Sequence, residues 1–110
     1  MKLHGKILFS WNENQLTIEC EGPFNSDCLV YYGSKIQESV INRGCNNWQR
    51  LEIWDDNSLV TPEGQLSSSA FWYWCNENGC SLTAIVVVNA LHVNLLKDHL
   101  RNNFKVFRDN

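Results

Sequence analysis

Ile7, Phe9 and Trp11 alternate with Leu8 and Ser10, and Leu16, Ile18 and Cys20 alternate with Thr17 and Glu19, the period of two that a half-buried strand requires. Asn12-Glu13-Asn14-Gln15 between them has turn chemistry, so the two runs predict an antiparallel hairpin. Gly22-Pro23 breaks the pattern. Asn25 or Ser26 can then cap the free N–H groups of a helix, with Asp27 near its positive end. Leu29, Tyr32, Ile36 and Val40 share one helical stripe and Gly44 is a natural stop, which predicts a first helix over 26–43.

Trp48, then Leu51 and Ile53 alternating with Arg50 and Glu52, predict a third strand with an apolar buried face and a wetter one. After the loop Asp55-Asp56-Asn57-Ser58, Thr61 caps a second helix, Pro62 fills its first turn without losing a hydrogen bond, and Glu63 meets its dipole. This helix is expected over 62–78, with Gly79 ending it. Residues 82–88 are apolar on both alternating faces apart from Thr83, as in a central parallel strand. A third helix over 91–102 carries Leu91, Leu95, Leu96 and Leu100, and Phe104, Val106 and Phe107 make a last short strand. The order ββαβαβαβ predicts an α/β fold: an opening hairpin, a mixed and mostly parallel sheet, three helices, and a single domain over 1–110.

With 110 residues, 44% of them hydrophobic and 19% charged, the chain can build one real core. Nine basic against 12 acidic side chains give a net charge of -3 with no Lys or Arg block, which argues against nucleic acid. The apolar runs 71–75 and 84–88 fall far short of the roughly 20 residues that span a bilayer, and no apolar stretch follows the first residues as a signal peptide requires. A cytoplasmic protein is expected.

Five cysteines, an odd number with no export signal, read as reduced thiols. Cys75 and Cys80 have no second pair to complete a metal site, and His92 and His99, seven apart on a helix, stand roughly 10 Å apart along its axis and cannot share an ion. No metal or cofactor is expected. Three spots have candidate chemistry. Asp55 and Asp56 follow a parallel strand at its carboxyl end, where ligands bind in open α/β sheets, or else they only cap the loop. Cys28, near a helix N-terminus, is either a thiolate of lowered pKa or a buried packing residue. His92 and His99 are either a pH-sensitive or ligand contact or helix-packing residues with one nitrogen bonded. No catalytic constellation and no phosphate-binding glycine motif accompanies them.

The run Phe71-Trp72-Tyr73-Trp74-Cys75 wraps more than a helical turn and cannot all face one sheet. If Leu66, Ala70, Tyr73 and Trp74 face inward, Trp72 and Cys75 point outward with Phe71 on the flank. Trp72, Phe71 and Cys75 are therefore candidates for a partner or ligand surface, with Trp72 as anchor; otherwise Trp72 wedges between helices.

Glu21-Gly22-Pro23-Phe24-Asn25 after the hairpin, Thr61-Pro62-Glu63 opening the second helix, Ala84-Ile85-Val86-Val87 in the central strand and Phe107-Arg108-Asp109 at the end are similar to segments of the SpoIIAA-like, or STAS-like, family of small bacterial domains related to anti-sigma-factor antagonists. The resemblance implies a regulatory module working through a protein partner. The family's switching members carry an Asp-Ser pair at the start of the helix after the third strand; here the matching position is Ser58, ahead of the Thr61 cap, so phosphorylation is not expected. The family also has a helix after its last strand, where this chain ends at Asn110, and the surface that helix covers is expected to be polar or covered by a second copy. Three readings stand: a non-enzymatic module acting through a regulatory partner or a homodimer, a small-ligand or lipid-binding domain, and a small enzyme using Asp55, Asp56 or Cys28.

Overall fold

Strands and helices alternate as the periodicity predicts: β1 (Lys6–Asn12), β2 (Gln15–Glu21), α1 (Ser26–Arg43), β3 (Trp48–Trp54), α2 (Pro62–Glu77), β4 (Cys80–Val87), α3 (Ala90–Leu96) and β5 (Phe104–Arg108). The computed structural model describes residues 3–58 and 61–109; Met1, Lys2, Leu59, Val60 and Asn110 lie outside it. The caps are those read from the sequence. Asn25 accepts a bond from the Cys28 backbone N–H at 2.9 Å, Thr61 accepts one from the Gly64 N–H at 3.1 Å, and Gly44 ends α1 at a left-handed φ of 63°.

The five strands lie in the order β1-β2-β3-β4-β5, with β1 antiparallel to β2 and all later pairs parallel. Each crossover therefore steps one strand in the same direction. Right-handed crossovers that all step the same way put their helices on one face of the sheet. Packing agrees: Ile36 and Val40 of α1 and Cys75 of α2 join Leu16, Ile18 and Trp48, while Trp72 of α2 and Leu96 join Ile85, Val87 and Phe104. The strand residues in both groups share one face, because Ile18, Glu52 and Ile85 are direct neighbours in register, as are Leu16, Arg50 and Thr83.

Three expectations are corrected. On β3 the faces are reversed, with Arg50 and Glu52 buried at 2% and 5% exposure and Ile53 left 37% exposed. Trp48 and Trp54 share the face of Arg50 and Glu52, and hiding two indoles outweighs hiding Leu51 and Ile53. On α2, Leu66 and Tyr73 are at the surface while Trp72 and Cys75 point inward. The governing stripe is Gly64, Ser68, Phe71, Trp72 and Cys75, spaced by three and four, so Trp72 is no outward anchor. Finally, α3 ends at Leu96 and continues as a short 3-10 turn, Lys97–His99, because the chain must reverse: the Arg101 and Phe104 backbones bond to each other at 3.0 and 3.2 Å just before β5. Leu91, Leu95 and Leu100 are consequently exposed, and His92, Val93 and Leu96 face the sheet.

Ile85, fully buried on β4 under Trp72 and Leu96, tests this packing. Ile85→Asp places an unpaired charge there and is expected to cost several kcal/mol, on the order of 4, in urea denaturation; a midpoint equal to the parent's refutes the topology.

Candidate functional site

Because β3 turns Trp48, Arg50, Glu52 and Trp54 inward, a charged pair sits in the middle of the apolar layer. Arg50 Nε lies 3.1 Å from Glu52 Oε2. The same oxygen accepts a bond from Trp72 Nε1 at 3.0 Å, and Oε1 accepts one from Trp54 Nε1 at 2.9 Å. Glu52 is thus the hub, with one cation and two indole donors satisfying a carboxylate that would otherwise be prohibitively costly to bury. Arg50 is less well served. Its guanidinium carbon lies 5.7 Å from the Phe71 ring centre and 5.9 Å from that of Trp72, and its terminal nitrogens make no hydrogen bond. The two rings supply a cation–π contact in place of polar partners. Cys75 stands nearby, and burial pushes its thiol up to about 12 against the opposing pull of Arg50.

Beside this hub lies a cavity of about 160 Å³ at the carboxyl ends of β2 and β3, between α1, α2 and α3. Ile18, Phe24, Leu29, Phe71, Trp72 and Leu96 supply apolar walls, and Glu52 reaches its surface. Ser67, Ser68 and His99 add hydroxyl and imidazole groups. Trp72 stacks on Trp54 with ring centres 6.4 Å apart, and His99 meets the Trp72 ring edge-to-face at 5.1 Å. His92 packs against Trp54 at 5.3 Å, fully buried, with neither ring nitrogen hydrogen-bonded. Burial lowers the His92 pKa, and Asp56, Asp55 and the Ser58 backbone pull weakly the other way.

The sequence-predicted site residues divide. Trp72 and Phe71 come together at the cavity, while Cys75 lies buried outside its walls, on the Arg50 side. Asp55 is a loop clamp, its Oδ1 accepting bonds from the Gly22 and Asn57 N–H groups at 3.2 and 3.1 Å and from the Ser58 hydroxyl at 2.8 Å. Ser58 is only 4% exposed, so its hydroxyl is held rather than presented to a kinase, while Asp56 is exposed. Cys28 is buried, and that burial raises its pKa instead of lowering it. Cys20, at the cavity, is raised well above the thiol range by burial and by Glu52, Asp55 and Cys28. All five cysteines are free. Arg50, Glu52, Trp54 and Gly33 were not singled out in the sequence; the signal for the first three was the shared parity Trp48-x-Arg50-x-Glu52-x-Trp54.

Among the described residues no helix packs on the opposite face of the sheet. Along it run Leu8, Glu19, Ile53, Val86 and Phe107 as one row of register neighbours, and Ser10, Thr17, Leu51, Ala84 and Lys105 as the next. Leu8 is 49% and Phe107 53% exposed. Among the described residues no group of three His, Cys, Asp or Glu side chains stands close enough to hold a metal ion, and no helix is long and apolar enough to cross a membrane. The chain matches no family model and no curated protein.

The hub predicts an asymmetry. Glu52→Leu strands Arg50 and two indole N–H groups in the core and is expected to cost about 3–5 kcal/mol, whereas Arg50→Met leaves Glu52 its two indole donors and costs less. Urea denaturation of the two variants ranks them. His92 sets a pH limit with a definite sign. Its folded pKa lies below the ordinary 6.5, so the unfolded chain binds the extra proton and stability falls as pH drops from that value through the lowered folded one. Denaturation midpoints between about pH 7 and pH 5 are expected to fall more steeply for the parent than for His92→Leu.

Proposed function

We propose that the chain is a non-enzymatic binding module of the STAS-like kind, working in the cytoplasm through a protein surface, and that its first partner is a second copy of itself. The observation that carries this reading is the helix-free sheet face. Parallel sheets are ordinarily covered on both sides, and here Leu51, Ile53, Ala84, Val86 and Phe107 form a continuous apolar strip on the uncovered side. At about 4.8 Å between strands and about 3.3 Å per residue, five strands present about 500 Å² per copy, so two copies bury about 1,000 Å², the size at which specific interfaces begin. A regulatory protein offering a similar apolar face would use the same surface in competition.

The element order supports the STAS-like resemblance, and the enzyme reading has less behind it. Asp55 is spent on its own loop and the Cys28 thiol is kept protonated by burial. Sedimentation across a concentration series is the test. The parent is expected to dimerise, and Ile53→Lys, which alters a residue 37% exposed, is expected to move the equilibrium at least tenfold toward monomer without lowering stability. A parent that is monomeric at about 0.5 mM, or an Ile53→Lys variant that dimerises unchanged, overturns the reading.

A further inference from the structure

Gly33 sits in the interior of the 18-residue α1 and lines the cavity. A glycine there weakens its helix relative to alanine, so a structural reason is owed. The usual reasons fail. Its backbone is not left-handed, and a Cβ added to it would meet only Phe71 Cδ1 at 3.7 Å, an ordinary contact rather than a clash. What the missing side chain provides is volume. A cavity of about 160 Å³ has room for one six-membered ring, since an engineered apolar cavity of about 150 Å³ takes up benzene.

The polar side of the cavity narrows the occupant further. Glu52 is 5% exposed, lines the space, and uses Oε1 for a single bond from Trp54 although a carboxylate oxygen accepts two. A buried carboxylate with free acceptor capacity in the wall of a cavity calls for a donor. That donor is neutral. Arg50, 3.1 Å from Oε2, already balances the carboxylate, so an ammonium guest would meet its repulsion and an anionic guest that of Glu52.

We propose that the cavity is a binding site for a neutral, ring-sized apolar molecule with one hydrogen-bond donor, of the phenol class, whose hydroxyl donates to Glu52 Oε1 while its ring packs against Trp72, Phe71 and the open side of Gly33. The site lies on the helix side of the sheet and is independent of the self-association proposed above.

Phenol, toluene and benzylamine, the last an ammonium at neutral pH, are titrated into ¹⁵N-labelled protein while the five tryptophan indole N–H resonances are followed. Phenol is expected to shift the Trp54 and Trp72 signals saturably and to bind at least about fivefold more tightly than either of the others, the margin of one added hydrogen bond. Glu52 holds the fold together, so the variant is made at Gly33. Gly33→Leu fills the space and is expected to melt no lower than the parent and to lose phenol binding. Absence of a saturable shift up to about 10 mM phenol means that the cavity holds only water or nothing, and overturns the proposal. Toluene or benzylamine binding as tightly as phenol overturns the assigned donor chemistry, and phenol binding retained in Gly33→Leu overturns the assigned place.

Discussion

The structure depends on one topological constraint, that every crossover after the hairpin moves a single strand in the same direction. Right-handedness then leaves the helices no choice of side. All three crowd one face, and the sheet becomes two surfaces with opposite problems. The inner face must find room for α1, α2 and α3 over five strands, and the outer face must meet solvent with strands as apolar as β4. In doubly wound sheets the helices divide between the faces and neither problem arises.

On the inner face the solution is polar. Arg50 and Glu52 occupy the centre of β3, where two aliphatic residues would have been simpler, and their burial is tolerable only as a set. Glu52 gathers the Arg50 side chain from its own strand, the indole of Trp54 from the same strand and the indole of Trp72 from α2. Those bonds fix the rotation of α2 about its axis. They explain why Trp72 faces the sheet while Leu66 and Tyr73, no less apolar, are left at the surface. An apolar layer alone would tolerate several rotations of that helix, whereas a carboxylate with two indole partners tolerates one.

This also marks how far the sequence could be read. The hairpin, the α1 stripe ending at Gly44, the Asn25 and Thr61 caps and the alternation of elements rest on local periodicity and capping, and they stand in the structure. The facing of β3 and α2 does not rest on local chemistry. Alternation along Leu51 and Ile53 pointed them inward, and only the bulk of Trp48 and Trp54 on the opposite parity argued against it. Nothing in α2 by itself shows that a glutamate 20 residues earlier waits for the Trp72 N–H. The end of α3 was likewise decided at a distance, by the turn that delivers Phe104 to β5 beside Thr83. The setting of Gly33 is likewise tertiary, since the space beside it is closed by residues of other elements.

The alternation of β3 then ties the two surfaces together. Leu51 and Ile53 belong to the open face, Arg50 and Glu52 to the buried one, and consecutive residues of one strand cannot be moved independently. A one-residue slip of β3 would bring the ion pair out into solvent, remove the carboxylate from the cavity and bury Ile53 under α2. The hydrogen bonds at Glu52 oppose that slip because they would be lost outright, although Leu51 and Ile53 would gain burial by it. The charged pair therefore does more for register than for net stability. It fixes which apolar residues are left on the outside of the sheet.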